Sequence, residues 1–301
     1  MRVAVIDLGT NTFHLIIADI SDANVQIIYK TNVPVRLGQG RINENIIIPE
    51  AFERGVETLK IFKQQIDKYQ ARQTSAIATS AVRSASNGKD FVEAVRKNAS
   101  INIEVIDGDK EAEYIYNGVK ATGIINGTSL IMDIGGGSTE FIICDNNKLL
   151  WKKSYNIGAA RLMQAYFHSD PINEQDKSAI INHLNSELTD LKEACLLFKP
   201  NHLIGSAGAF ETFAGMLLKD IEINSVKSAA IEFTAYSSLS EKLIASTHLE
   251  RKNMPNLIEL RVDMIVIAAI LTNYILSISG IKEISLSTYD LKMGVLYSFA
   301  D

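Results

Sequence analysis

A chain of 301 residues with 47% hydrophobic and 22% charged side chains has the make-up of a globular protein large enough for two α/β domains, which excludes disorder. A formal net charge of −5 without a long basic run excludes a surface that coats nucleic acid. The two cysteines, Cys144 and Cys195, have no metal-ligand spacing, and no His/Cys cluster points to zinc.

Cys144 sits in an apolar strand and reads as a buried thiol, which suits a reducing cytoplasm. The chain opens directly on a strand, leaving no room for a leader. The apolar run Met264 to Leu276, interrupted by Thr272 and Asn273, is too short to span a bilayer, so no membrane partner is expected.

In chain order, residues 2–35 alternate apolar runs with turns and are predicted as three antiparallel strands, broken at Asp19 to Asn24 and closed at Pro34. A polar loop, Leu37 to Ile47, leads to Pro49 to Tyr69. There Phe52, Val56, Leu59, Phe62 and Ile66 fall at the spacing of an amphipathic helix with proline in its first turn. Ser75 to Ala78 reads as a strand ending in Thr79-Ser80-Ala81-Val82-Arg83. A helix at Lys89 to Asn98 and a strand at Ile101 to Ile106 follow. The acidic turn of Asp107, Asp109, Glu111 and Glu113 then opens a helix through Val119. Gly123 to Gly127 reads as the joint between two domains, 1–124 and 125–301.

The second half repeats the plan, with strands at Ser129 to Ile134, Thr139 to Cys144 and Lys148 to Ile157. A helix from Ala159, one long helix from Asn173 to Leu197 and a strand at His202 to Ile204 come next. That strand enters the small-residue turn Gly205-Ser206-Ala207-Gly208-Ala209, and residues 216–256 read as helical with room for a sheet-edge irregularity. Leu257 to Ile278 is predicted as a long apolar helix, Glu283 to Ser287 as a strand, and Asp290 to Phe299 as a closing helix that packs back on the first domain. Three strands followed by helix, strand and helix, twice over, predict a duplicated α/β fold with a ligand cleft between the halves. Pairing of the long apolar helices would give a homodimer face.

Two stretches carry the chemistry, Val5-Ile6-Asp7-Leu8-Gly9-Thr10-Asn11-Thr12-Phe13 and Ile131-Met132-Asp133-Ile134-Gly135-Gly136-Gly137-Ser138-Thr139-Glu140-Phe141. Each reads as a hairpin with an Asp at the end of its first strand and a glycine-rich turn. Glycine lets the backbone approach a ligand and aim successive N–H groups at it, so Gly9, Thr10, Asn11, Gly135, Gly136, Gly137 and Ser138 are the candidate phosphate binders. Asp7 and Asp133 can hold Mg²⁺, directly or through water, and the metal neutralises phosphate charge. Either turn alone is more often only a turn; two in the two halves of one chain point to a paired clamp.

Glu140 reads either as a further metal-shell carboxylate or as a structural partner of the glycine turn. Arg83 stands just beyond a strand's carboxyl end, where α/β sheets meet ligands. On its own, Glu111 among four acids at a helix start reads as a solvated cap. His14, in an apolar strand, reads as a hydrogen-bonded core residue, and no nucleophile elbow supports Ser/His/Asp chemistry.

The layout is similar to the actin-like ATPase and sugar kinase superfamily (ribonuclease H-like domains). Within it, the chain resembles the exopolyphosphatase and guanosine pentaphosphate phosphohydrolase (Ppx/GppA) family. The resemblance rests on residues 6–14, 79–83, 111–113, 133–140 and 158–162 and covers essentially the whole chain. It implies Mg²⁺-dependent hydrolysis of the terminal phosphoanhydride of inorganic polyphosphate, or of the 5′ γ-phosphate of guanosine pentaphosphate. The family's proposed general base matches Glu111, its arginine after the Thr/Ser turn matches Arg83, and its metal-side acids match Asp7 and Asp133.

Glu113 replaces an arginine of the family pattern, Gly205 to Ala209 lacks the family's threonine, and Tyr289 stands where the pattern has glycine, which argues against a standard nucleotide pocket. The helical extension of long family members is absent, so short polymers are the expected substrates. Arg36, Lys110 and Arg161 read as a polyphosphate track or as ordinary surface salt-bridge residues. A catalytically quiet binder of polyphosphate or alarmone, and a superfamily kinase, are the readings from other classes.

Overall fold

The computed structural model describes residues 1–21, 24–206 and 208–300. Strand β1 (Arg2–Leu8) pairs antiparallel with β2 (Phe13–Ser21), and β2 with β3 (Asn24–Val33). Helix α1 (Pro49–Lys68) returns the chain so that β4 (Gln73–Ala78) lies parallel to β1. Helices α2 (Ser80–Ser84) and α3 (Gly88–Ala99) lead to β5 (Ile103–Val105), parallel to β4, and α4 (Gly108–Lys120) leaves for the second half.

There β6 (Ser129–Ile134), β7 (Thr139–Cys144) and β8 (Leu149–Tyr155) repeat the antiparallel meander. Helices α5 (Ala159–Tyr166), α6 (Glu174–Glu187) and α7 (Thr189–Phe198) precede β9 (His202–Ser206), parallel to β6, and α8 (Gly208–Leu217) follows. The chain closes with β10 (Ser228–Ile231), α9 (Phe233–Ala245), α10 (His248–Lys252), α11 (Ile265–Ser279), β11 (Glu283–Ser287) and α12 (Leu291–Tyr297).

The sheet orders are β3-β2-β1-β4-β5 and β10-β11-β9-β6-β7-β8, so the expected duplication is present with one added edge strand. That strand, β10, is the sheet-edge irregularity allowed for within residues 216–256; its four residues leave little periodicity to place it more closely. The helix expected over Asn173 to Leu197 is two helices, α6 and α7. The chain leaves helical geometry at Leu188 so that Leu184, Leu188 and Leu191 all stay in one core. The helix expected from Leu257 begins only at Ile265, after a short 3₁₀ turn, Glu259–Arg261. Helix α11 is buried within its own lobe and offers no free apolar face for a dimer. Among the described residues no helix is long and apolar enough to cross a membrane.

Side-chain alternation along the strands organises the cores. On β1, Ala4, Ile6 and Leu8 enter the outer core of the first lobe, whereas Val3 and Val5 point the other way. On β6, Leu130, Met132 and Ile134 enter the outer core of the second lobe, whereas Ile131 faces back. The inward residues meet Ile115 and Val119 of α4 and Val295 and Leu296 of α12 in a third core shared by both halves. By the same alternation Asp7 and Asp133 lie on the facing sides of the two sheets.

The shared core depends on a close helix crossing. A Cβ on Gly294 of α12 would stand 1.7 Å from the Tyr114 carbonyl oxygen of α4, and one on Gly118 would stand 2.3 Å from the Asp290 carbonyl oxygen. Gly294→Ala is therefore expected to lower the unfolding free energy by about 1–3 kcal/mol. Gly215→Ala, on a helix where a new Cβ meets nothing within 4 Å, is expected to be neutral or stabilising. Urea denaturation of the two variants checks both signs.

Candidate active site

Asp7 and Asp133 line one pocket of about 130 Å³ between the lobes. Gly9, Thr10 and Asn11 line it from one side, and Gly135, Gly136, Gly137 and Ser138 from the other. The turns touch: a Cβ on Gly136 would stand 2.7 Å from Asn11 Nδ2 and 2.9 Å from Thr10 Cβ, so only glycine permits the approach.

The orientation of each turn follows from what its carbonyls bind. Gly38 N–H donates to Thr10 O at 3.0 Å and Arg36 N–H to Asn11 O at 2.7 Å. The first N–H groups of α5 do the same for the second turn, Ala159 to Gly135 O and Ala160 to Gly136 O, both at 2.9 Å. Arg161 Nε donates to Gly137 O at 3.2 Å. In a trans peptide the N–H points opposite to the carbonyl. The N–H groups of Asn11, Thr12, Gly136, Gly137 and Ser138 are thereby turned away from these partners. The Ser80 hydroxyl, buried on the pocket wall, has no hydrogen-bond partner among the described residues.

Charge in the pocket is unbalanced. Asp7, Glu111, Asp133, Glu140, Glu211 and Asp290 line it, against the cations of Arg261 and Lys292. Burial pushes Asp7 up to about 7, with Lys292 opposing the shift and Asp290 adding to it. Burial, then the Glu140 and Asp290 charges, hold the Asp133 carboxyl well above the usual range, although Ser206 Oγ donates to its Oδ2 at 3.0 Å. Glu111 is also raised well above its ordinary value, first by burial and then by Glu140. Arg83 Nη1 opposes that shift by donating to Glu111 Oε2 at 2.8 Å. Burial raises Glu140, and Ser154 Oγ, donating at 2.6 Å, opposes the shift.

Burial alone would lower Lys292, but Asp290, Asp7 and Glu211 together raise it, so it stays an ammonium, paired with Asp290. Crowded carboxylates short of cations, all hard oxygen donors, fit a magnesium ion. Among the described residues no three such side chains gather closely enough to hold a metal by themselves. The fit is to an ion held by one or two carboxylates and completed by water or phosphate oxygens.

Several sequence expectations change here. Glu140, opposite Asp133 on the β6–β7 ladder, lines the pocket with Asp7 and Asp133 and accepts from Ser154 Oγ. Glu111 is no solvated cap but a buried carboxylate, because α4 starts against the shared core. Arg83 lies behind Glu111, donating to it and to Ile106 O at 3.1 Å, and does not line the pocket. His14 is not a hydrogen-bonded core residue. It sits opposite Asp7 on the ladder, lines the pocket without a ring hydrogen bond, and is kept neutral by burial, Lys292 and Arg261.

Of the expected track, Lys110 pairs with Glu113 and Arg161 binds carbonyls, while Arg36 lines a neighbouring cavity of about 610 Å³. Ala207, in the late small-residue turn, lies outside the described residues.

Sequence reading missed Arg261, Lys292, Glu211 and the orphaned Ser80 hydroxyl. Arg261 comes from the 3₁₀ turn before α11, and its guanidinium lies where a Cβ on Gly208 would be, 1.8 Å from Nη2. The available signal was a charged residue breaking an apolar run at its start. Lys292 sits in the departure from the late family pattern that was noted only for its tyrosine.

A model of the Ppx/GppA phosphatase family matches residues 16–301. The chain is 27% identical over 297 residues to a putative exopolyphosphatase of Haemophilus influenzae, an alignment covering 99% of this chain and 91% of that protein. It is 28% identical to a guanosine-5'-triphosphate,3'-diphosphate pyrophosphatase of Pseudoalteromonas translucida; 98% of this chain aligns, over 58% of that longer protein. Among solved structures, an exopolyphosphatase from Cytophaga hutchinsonii superposes with a TM-score of 0.97 at 39% identity, covering 100% of this chain and 98% of that one. The Aquifex aeolicus PPX-GPPA enzyme superposes with a TM-score of 0.83 at 26% identity, with 99% of each chain covered. With the duplicated sheets, the facing turns and a match over nearly the whole chain in agreement, the protein belongs to the Ppx/GppA phosphatase family, built on two actin-like domains.

Proposed function

We propose that this protein is an exopolyphosphatase: it hydrolyses the terminal phosphoanhydride of inorganic polyphosphate and releases orthophosphate. The observation that carries the reading is the pocket itself. Gly9 to Asn11 and Gly135 to Ser138 line it from the two lobes, the buried Ser80 hydroxyl joins them, and acids outnumber cations on its walls. The Cytophaga relative, 39% identical, bears the same name.

Phosphoanhydride hydrolysis asks the protein mainly for positioning and charge stabilisation. Asp7 and Asp133 would hold Mg²⁺, whose charge neutralises phosphoryl oxygens. Glu111, a carboxylate raised in pKa by burial, accepts the proton of the attacking water and is the stronger base for that shift. Arg83 fixes the orientation of Glu111 through its 2.8 Å bond, while Arg261 and Lys292 face the substrate's oxygens.

One observation favours a second reading, guanosine pentaphosphate hydrolysis. The 610 Å³ cavity shares Asn11 with the phosphate pocket and is walled by Met163, Phe167, Leu260 and Met264, with the exposed Arg36 at hand. An apolar wall suits a base and sugar better than a bare polyanion.

Phosphate release from short polyphosphates and from guanosine pentaphosphate, measured side by side with Mg²⁺, decides between them. Turnover of polyphosphate, abolished by chelation, is expected; a protein that works only on the nucleotide moves the assignment to the second reading, and one inert on both sinks the hydrolase. Glu111→Gln is expected to cut kcat about 10²- to 10⁴-fold with KM little changed. Arg261→Met is expected to lower kcat/KM about 10- to 100-fold by removing charged hydrogen bonds to the substrate. Steady-state kinetics on the preferred substrate reads both.

A further inference from the structure

We propose that Arg161 is a positioning residue, a latch that ties closure of the strap formed by residues 37–47 to the shape of the second phosphate turn. Its phosphate half rests on the hydrolase reading; its closure half does not.

The strap runs from one turn to the other. It starts on the first, through Arg36 N–H to Asn11 O at 2.7 Å and Gly38 N–H to Thr10 O at 3.0 Å. It then crosses to the second lobe, where Arg161 of α5 receives it. Arg161 Nη1 donates to Ile42 O at 3.0 Å and lies 3.4 Å from Asn43 Oδ1, while Asn43 Nδ2 donates to Arg161 O at 3.1 Å. The same guanidinium reaches Gly137 O through Nε at 3.2 Å. Gln164, one turn further along α5, accepts from Asn43 N–H at 3.2 Å and donates to Gly40 O.

The planar fork of arginine suits this task, since Nε and Nη1 hold acceptors from two lobes in fixed relation and a lysine ammonium would not. Among the described residues Arg161 has no carboxylate partner, and it does not line the phosphate pocket, so it acts through Gly137. Releasing the Gly137 carbonyl frees the next peptide to turn, and with it the Ser138 N–H. The side chains of Asn43 and Gln164 are exposed, so water competes for their bonds, while the bonds from the Arg161 guanidinium to Ile42 O and Gly137 O are part-buried and hold the strap.

The test is amide hydrogen exchange across residues 39–46 of the full chain, first without ligand and then with inorganic phosphate and Mg²⁺. In Arg161→Met the ligand-free strap is expected to exchange about tenfold faster or more, the effect of losing hydrogen bonds to a charged group. Phosphate slows the strap in the native protein and leaves it unprotected in the variant. Activity falls through KM with kcat held, because substrate must then close the strap itself. Gln164→Ala loosens the strap in the same direction to a smaller extent, and it carries the test if Arg161→Met does not fold. Strap exchange equal to native in the variant that carries the test overturns the latch. So does a fall in kcat with the strap unmoved, which marks Arg161 as a substrate contact. The ligand-free measurement needs no substrate, so its failure is distinct from failure of the hydrolase reading.

Discussion

A peptide group presents its two poles in opposite directions, so a turn offers N–H groups to an anion only when something else takes its carbonyls. Both turns of this protein meet that condition, by different means. The first gives its carbonyls to the residues that begin the strap, Arg36 and Gly38. The second gives them to α5, whose opening N–H groups have no acceptor inside the helix. One set of bonds thus satisfies a helix end and orients an anion site. Substitutions at Gly136 act on the same feature from the other direction, because any side chain there pushes Thr10 and Asn11 away.

Oriented dipoles alone do not make this pocket stable, because the side chains beneath them repel one another. Asp7, Glu111, Asp133 and Glu140 are all displaced upward in pKa, burial being the largest cause for each. Lys292 and Arg261 relieve part of that repulsion, and Arg83 relieves Glu111 in particular. The remainder is an excess of negative charge on the walls of a site whose backbone favours an anion. Under the proposed hydrolase reading, a metal-bound phosphoryl group meets both features at once, its cation at the acids and its anion at the turns.

What was legible in the sequence was what neighbours in the chain decide. The hairpin at Asp7 and its echo at Asp133 announce themselves by apolar runs around a glycine turn, and the two sheets follow from them. The site's cations were illegible for the opposite reason. Arg261 reaches the pocket because the chain departs from helix just before α11, and the charged residue breaking the apolar run there is the one sign of it in residues 257–264. Glu111 looked like a solvated cap because nothing in residues 107–113 records that α4 starts against a second sheet. His14 was misplaced by a single step of logic: an apolar strand was taken as buried on both faces, although one face of β2 opens on the pocket at that position. The break at Leu188 needs neither proline nor glycine, only a core that claims leucines on both sides of it.

The two connections between the lobes differ in kind, and the difference sets how the molecule can move. At α4 and α12 the halves share Val5, Ile115, Ile131 and Val295 in one apolar core, and the glycine crossing leaves no slack between the helices. Parting the lobes there exposes apolar surface, at about 25 cal/mol for each Å². Across the strap the bonds from Arg161 and Gln164 are polar, some part-buried and some exposed, and no apolar core joins the lobes there. The latch proposed above makes the apolar side the pivot and the strap the side that opens. A pocket placed between them feels opening as a change in the spacing of its two turns, so a ligand bridging the turns favours the closed arrangement by its own binding energy.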